Sequence, residues 1–385
     1  MIRLPCHDEP HVYDFKARVM REWEEKGETF ILLDKSWFYP EGGGQPSDRG
    51  FLNDTFVKRV FLRGNDIIHV AGSSVGHGSV RGKIDGIRRY DFMQQHTGQH
   101  LLSAFLLKKW GWETIGFHLS DENVTIDIPL EIWEKEKEQL VEEEINRLIR
   151  EHINVESFWI PSTDLSRYPV RKEGAMEKEI RLVRIGDADL SMCGGMHVEN
   201  TAELNYFKVI KGEKIKKSSL RLYFLYGKRA LEQARKSWQI LEQIKKELSL
   251  PEDQCPGGVL RLKEEKANAD KEKKRLEKTI VRLWADSLRE SSDAVAAIVE
   301  DGDADFLCDV GKRLIEDGAK VCVLFQPMIG FLCLYSDGEI TLKKKGQSLI
   351  KRFGGKGGGQ ETVFRINGCP RNTDPHEILR ELTTR

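Results

Sequence analysis

The sequence predicts a multidomain α+β protein made of a small β-barrel, an α+β unit carrying paired metal-ligand residues, a helical hairpin and a C-terminal α/β domain. Three observations predict it. Short apolar runs separated by turn residues fill positions 30 to about 86. The pairs HTGQH and CGGMH lie within a mixture of helical and strand patterns. A long stretch of helical spacing then gives way to strands alternating with a helix. The expected boundaries are 1–88, 89–218, 219–290 and 291–385.

The barrel rests on FILL, FVKRVFL and IIHVAG, which alternate with Gly-, Asn- and Asp-rich turns. Within it lies WFYPEGGGQPSD, residues 37–48. Its three glycines, Gly42, Gly43 and Gly44, read as a turn that exposes backbone N–H groups, either an ordinary tight turn or one able to approach a phosphate or ribose. The next unit begins with DFMQQHTGQHLLSAFLLKKW, a helix closed by Trp110 and Gly111. Strand VTIDI follows, then an acidic amphipathic helix from 131 to about 150, strands around 180–185, and the CGGMH turn.

Leu231, Ala234, Trp238, Leu241, Ile244 and Leu248 keep helical spacing. A break is expected from 251 to 258, with a second helix from 262 to 288, which suggests an antiparallel coiled-coil hairpin. The last hundred residues alternate strands AVAAIV, KVCVLF and FLCLY with a helix near 306–316. RFGGKGGGQ then resembles a phosphate loop but fails its pattern, because position 350 is Ile and position 357 is Gly. It is expected to be a flexible or closely packed backbone stretch in which Lys356 could touch an RNA backbone.

The 385 residues are 39% hydrophobic and 32% charged, the balance of a globular protein with well-charged surfaces. No apolar run approaches a membrane span and no segment resembles a signal peptide, so a cytoplasmic protein without membrane association is expected. Seven scattered cysteines suit reduced thiols better than a disulfide framework. The net charge of −1 gives no overall pull toward nucleic acid. Two local basic clusters remain as RNA-binding candidates or as ordinary solvated faces. One comprises Lys208, Lys211, Lys214, Lys216, Lys217, Arg221, Lys228 and Arg229. The other comprises Lys343, Lys344, Lys345, Lys351, Arg352 and Lys356.

Residues four apart on a helix share a face, so His96 and His100 can aim both imidazoles at one point. In CGGMH, Gly194 and Gly195 prevent a regular helix and let the backbone turn Cys193 and His197 inward. One thiolate and three imidazoles form a ligand set suited to zinc. The other readings are a satisfied core cysteine among scattered histidines, or a purely structural ion. HTGQH lacks the Glu of HExxH, and the paired cysteines of the zinc deaminases are missing.

HTGQHLLSAF, TIGFHLSDENVTIDI and CGGMHVENT resemble the editing domain of alanyl-tRNA synthetase and its free-standing relatives, the AlaX trans-editing proteins. FYPEGGGQPSDRG resembles the glycine-rich motif of the longer AlaX forms, and GGKGGGQ resembles the C-terminal domain of alanyl-tRNA synthetase. No aminoacylation core precedes the barrel, as in the long form of AlaX. The resemblance implies a zinc editing domain in which His96, His100, Cys193 and His197 hold zinc, acting as a hydrolase on tRNA(Ala) charged with serine or glycine. Thr97 would meet the seryl hydroxyl, while Gly43, Gly44 and Gln45 would lie near the aminoacylated end. Where the synthetase has a Gln on the strand after the helix, this chain reads GFHLSDEN, which makes His118 and Ser120 candidates to substitute for it. The alternative is a non-catalytic tRNA-binding protein with a structural zinc. A homodimer would join through the hairpin or the C-terminal domain.

Overall fold

The computed structural model describes residues 2–171, 177–216, 218–289 and 293–384. The chain divides into two compact units, Met1–Gln243 and Ile244–Arg385.

The first unit starts with one helical turn, α1 (Pro5–Asp8). Six antiparallel strands follow: β1 (Asp14–Glu25), β2 (Glu28–Leu33), β3 (Gly50–Leu52), β4 (Thr55–Arg63), β5 (Asp66–Ala71) and β6 (Gly78–Ile84). They close into a barrel in the order β1-β2-β5-β4-β3-β6, which leaves no free sheet edge. Phe15, Ala17, Val19, Ile31, Leu33, Val57, Val60, Val80 and Ile84 fill its interior. The sequence reading began the barrel at residue 30 and missed β1. The buried Phe15, Ala17 and Val19 alternate there with exposed Lys16, Arg18 and Met20, and the charged remainder of the strand hides that alternation.

The WFYPEGGGQPSD segment joins β2 to β3 and is pinned at both ends. The Asp48 carboxylate accepts the Tyr39 N–H at 2.7 Å and pairs with the Arg89 guanidinium, and both charges are buried. Arg89 also donates to the carbonyls of Pro10, Val12 and Trp37. A buried guanidinium satisfied in this way fixes geometry, and removing one partner of such a pair typically costs about 3–5 kcal/mol.

Helix α2 (Gly86–Trp110) follows the barrel directly. The Asp85 side chain caps it by accepting the Arg88 N–H, and Gly111 ends it in the left-handed conformation, as expected for the closing Trp110-Gly111. Then come β7 (Gly116–Leu119), β8 (Val124–Ile128), α3 (Lys135–Arg150), β9 (Val155–Pro161), β10 (Glu179–Ile185), β11 (Asp189–Met192), β12 (Phe207–Lys216) and β13 (Ser219–Tyr226). One sheet has the order β12-β13-β8-β7 and another β11-β10-β9. α2 is buried for most of its length within the core that these elements share. The expected boundary at 218/219 falls inside the β12–β13 hairpin, because β13 supplies the strand that pairs with β8.

α4 (Gly227–Leu248) follows, and among its residues only Gly227 and Ala230 are buried. The helical spacing from 231 to 248 is therefore realised, on a largely exposed helix.

In the second unit, α5 (Cys255–Leu288) starts earlier than the expected 262. Pro256 sits in its first turn, where a missing N–H costs nothing, so the break spans only residues 249–254. Strands β14 (Ala294–Ile298), β15 (Val321–Gln326), β16 (Phe331–Ser336), β17 (Lys356–Gly359) and β18 (Val363–Asn367) form a sheet in the order β14-β15-β16-β18-β17. β14 and β15 are parallel, and the other neighbours are antiparallel. Helices α6 (Ala304–Glu316), α7 (Leu342–Phe353) and α8 (Pro375–Thr383) complete the unit. Two apolar clusters, one centred on Val310, Leu314 and Cys322 and the other on Phe325, Leu334 and Phe364, make its core. The glycine-rich segment that sequence left as a flexible or closely packed stretch is the edge strand β17. Among the described residues no helix is long and apolar enough to cross a membrane.

Candidate metal centre

The two ligand pairs meet. α2 carries His96 and His100 on one face, and the turn after β11 brings Cys193 and His197 against them. One potential ligand atom from each residue lies within 4.8 Å of the others, and all four side chains are buried. The Cys193 Sγ is 3.5 Å from His96 Nε2 and 3.3 Å from His197 Nε2. The three imidazoles converge, with ring centroids 4.6–5.3 Å apart.

Two glycines permit this convergence. A Cβ on Gly98, between the paired histidines, would lie 2.3 Å from the ring of Tyr226, whose hydroxyl donates to the Gly98 carbonyl at 2.7 Å. A Cβ on Gly195 would lie 2.1 Å from His96 Cε1, so only a glycine lets the turn cross that ring. Arg181 on β10 fixes the turn from behind. Its Nη1 donates to the carbonyls of Cys193 (3.0 Å) and Gly195 (2.8 Å), while its own carbonyl accepts the Cys193 N–H.

Each histidine is also held by its far nitrogen. His96 Nδ1 faces Gln45 Oε1 at 2.8 Å, His197 Nδ1 faces Thr97 Oγ1 at 3.0 Å, and His100 Nδ1 faces Asp189 Oδ2 at 3.0 Å. Asp189 is braced in turn by Arg171 and Ser191. Occupied Nδ1 atoms leave the Nε2 lone pairs free to point inward, which is the arrangement that prepares imidazoles for a cation.

The electrostatics agree with this. Burial opposes charge on Cys193, yet the imidazoles of His96, His197 and His100 hold its thiol well below the ordinary value. Burial likewise opposes charge on His100, but the Cys193 sulfur and Asp189 raise it to about 9. Asp189 is lowered to about 2 against its burial, by His100 and Arg171. Burial depresses His197 to about 3. A thiolate, a neutral imidazole and a carboxylate-backed imidazole in a buried ring make a donor set that fits a metal ion, whose binding would displace the proton on His100.

Thr97 is fully buried beside the ring, where its Oγ1 meets His197 Nδ1 and accepts the Val198 N–H at 3.2 Å. Gln45 is buried too, and besides holding His96 it accepts the Met196 N–H at 3.0 Å. Gly43 and Gly44 form an exposed turn at the same place, with φ of +57° and +81° and a mutual bridge between Gly42 and Gln45. His118 is not brought to the ring. It is exposed, and strand pleating aims it away from its neighbour Phe117, whose ring lies on His96 with centroids 5.4 Å apart. Ser120 bonds Asn123 instead.

Sequence reasoning missed Phe117, Asp189 and Arg181. Asp189 carried a signal, being an acid four residues before Cys193 on the strand that leads to it, and ligating histidines need such an acceptor.

The first basic cluster is largely neutralised. Lys208 pairs with Glu142, Lys211 with Glu213, Arg221 with Asp127, Lys228 with Glu232, and Arg229 with Asp91. Lys217 lies outside the described residues. In the second cluster, Arg352 pairs with Glu377 and Glu381, and Lys345 donates to the carbonyls of Glu381 and Leu382. Lys343, Lys344, Lys351 and Lys356 are exposed and make no ion pair among the described residues.

A barrel joined to a Cys–His₃ ring in an α+β unit defines a class of protein, and similarity to known chains places it more narrowly. Residues 180–223 match the threonyl and alanyl tRNA synthetase second additional domain, so the chain carries that domain. It is 28% identical to alanyl-tRNA editing protein Aarsd1-B of Xenopus laevis over 338 residues, which cover 86% of this chain and 82% of that protein. It is 26% identical to alanyl-tRNA editing protein AlaX-L of Pyrococcus horikoshii over 393 residues, 95% of this chain and 94% of that one. Against the alanine–tRNA ligase of Pyrococcus abyssi the identity is 29%, covering 94% of this chain but only 41% of the ligase. The likeness to the long AlaX form thus runs through nearly the whole chain.

Proposed function

We propose that this protein is a trans-editing hydrolase that deacylates Ser-tRNA(Ala) and Gly-tRNA(Ala), using zinc held by His96, His100, Cys193 and His197. The observation that carries the reading is the buried donor ring, in a chain similar over most of its length to proteins named as alanyl-tRNA editors. Bound there, zinc would supply positive charge to anchor and polarise the ester end of the substrate.

The chain's own residues do the rest. Gln45, Thr97 and Asp189 hold the three imidazoles in one orientation. The Gly43–Gly44 turn keeps side chains out of the approach to the ring. If His197 Nδ1–H and Val198 N–H both donate to Thr97 Oγ1, that hydroxyl keeps its own proton for one more acceptor, and a seryl oxygen fits the need. Alanine offers no such oxygen. A site that pairs a hydroxyl can therefore spare Ala-tRNA(Ala) where a size-based pocket cannot.

Side-by-side deacylation of Ser-, Gly- and Ala-tRNA(Ala), before and after metal removal, tests the reading. Serine and glycine should be released and alanine retained, with activity returning when zinc is restored. Zinc removal that unfolds a protein inactive on every charged tRNA would favour the alternative, a tRNA-binding protein with a structural ion.

A further inference from the structure

Phe117 has a position that the metal ring does not require. It lies on β7 and is only partly buried, and its ring lies on the His96 imidazole with an interplanar angle of 28°. The other boundary of this ring is Gly44. A Cβ there would stand 3.0 Å from Phe117 Cδ1 and 3.3 Å from Cε1, and with φ of +81° the position disfavours any side chain. The glycine turn thus runs close against one side of an aromatic ring that is only partly buried. Gly43 closes the same corner, its missing Cβ lying 3.8 Å from the Gly195 nitrogen. Gly43 and Gly44 are exposed, and their N–H groups donate no hydrogen bond among the described residues.

A partly exposed ring beside a candidate metal ligand, bordered by backbone N–H groups that donate no hydrogen bond among the described residues, suits a flat partner with polar edges. Unpaired nucleobases have that shape, and single-stranded nucleic acid is commonly held by stacking bases on aromatic side chains next to groups that contact its backbone. We propose that Phe117 is the stacking platform for the terminal base of the aminoacylated strand, with the Gly43–Gly44 turn receiving its sugar-phosphate. The inference rests on the deacylase reading and deepens it. The ester must reach the ring from a nucleotide, and a base stacked on Phe117 would place that nucleotide beside His96. Gly44 then matters because a side chain there would crowd the ring.

The test compares wild type, Phe117→Leu, Phe117→Trp and Gly44→Ala on Ser-tRNA(Ala) and on serine methyl ester, an ester without a nucleotide, with bound metal measured in each protein. Phe117→Leu should raise KM for Ser-tRNA(Ala) roughly ten-fold or more. Its kcat, its metal content and its methyl ester hydrolysis should stay near wild type, and Phe117→Trp should restore the tRNA KM. Gly44→Ala, which would push a methyl group against the Phe117 ring, should also raise the tRNA KM. Parallel loss on both esters, or loss of metal from Phe117→Leu, would show that the ring merely props His96 and would overturn the proposal. An unchanged tRNA KM in Phe117→Leu would overturn it as well. If wild type cleaves neither ester, the deacylase reading itself fails. Stacking is then read from binding of the trinucleotide CCA, which should weaken in Phe117→Leu and recover in Phe117→Trp.

Discussion

Two glycine triplets in this chain look alike as letters and do opposite things. Residues 42–44 form an exposed turn at the metal ring, with two positive φ angles, where the missing side chains leave space. Residues 357–359 lie in strand β17, where the missing side chains let two backbones close up. A Cβ on Gly357 would lie 2.1 Å from the Arg365 carbonyl oxygen, and one on Gly359 would lie 2.1 Å from that of Val363, whereas one on Gly358 would meet nothing. A glycine run therefore carries no function by itself. Its surroundings decide whether the empty volume admits a ligand or a neighbouring strand.

The sharpest way to break the comparison is at the metal ring. Gly195→Ala would drive a methyl group into His96, so the protein should fall from one bound zinc per chain to near none, while Cys193→Ala does the same by removing a donor. Metal analysis of the two folded variants checks this. Undiminished zinc in Cys193→Ala would refute the ligand assignment. The matching substitution in the second unit, Gly357→Ala, should leave zinc content untouched and lower the stability of that unit by about 1–3 kcal/mol, as overpacking does. Gly358→Ala should shift stability by less than about 0.5 kcal/mol, and thermal unfolding of the pair gives the contrast directly.

A buried histidine away from the ring sharpens the meaning of ligand. His69 sits in the barrel with Nδ1 facing the Ile31 carbonyl at 3.1 Å and Nε2 facing Ser36 Oγ at 2.8 Å, a neutral imidazole satisfied by protein alone. Burial lowers its pKa to about 4. Between that value and the unfolded value near 6.5 the unfolded chain binds the extra proton, so stability falls as pH drops through this window and levels off below pH 4. The loss should total about 3 kcal/mol and be absent from His69→Gln. Equal pH slopes for the two proteins in chemical denaturation would contradict this account.

The donor ring was legible because chemistry and spacing coincide there: histidines four apart on an apolar helix, and a cysteine and histidine around two glycines. What braces the ring was less legible. Gln45 is 51 positions from His96, and nothing local shows that its amide reaches an imidazole. β1 and β12 were hidden by charged outward residues, and the 208–229 cluster read as a basic face because three of the carboxylates that neutralise it, Glu142, Asp127 and Asp91, lie far away in the sequence. Glu142 and Asp127 reach Lys208 and Arg221 only after folding.

Thr97 gives a smaller and more selective effect. Thr97→Val keeps the branched shape and removes the hydroxyl, so serine loses one buried hydrogen-bond partner, on the order of 1–3 kcal/mol in kcat/KM for Ser-tRNA(Ala). The same hydroxyl orients His197, which gives a part of the loss common to both substrates. Glycine, with no side chain to meet the hydroxyl, should suffer only that common part. Equal losses for Ser- and Gly-tRNA(Ala) would mean that Thr97 supports His197 and does not read the amino acid.

The smallest effect on the handling of tRNA is expected at Lys356, on the second glycine strand. With Lys343, Lys344 and Lys351 it is exposed and lacks an ion pair among the described residues, in contrast to the neutralised cluster of the first unit. We propose that it touches the tRNA backbone. The second unit presents lysines near β17, whereas the donor ring lies wholly in the first, so a phosphate contact there should strengthen binding without entering the ester chemistry. Lys356→Ala should weaken tRNA binding modestly, by up to about 1 kcal/mol at low salt, and reduce the salt slope of log K by about one counterion. Turnover at saturating tRNA should be unaltered. A salt slope equal to wild type would remove Lys356 from the interface, and a fall in saturated turnover would mean that the second unit acts on the reaction itself.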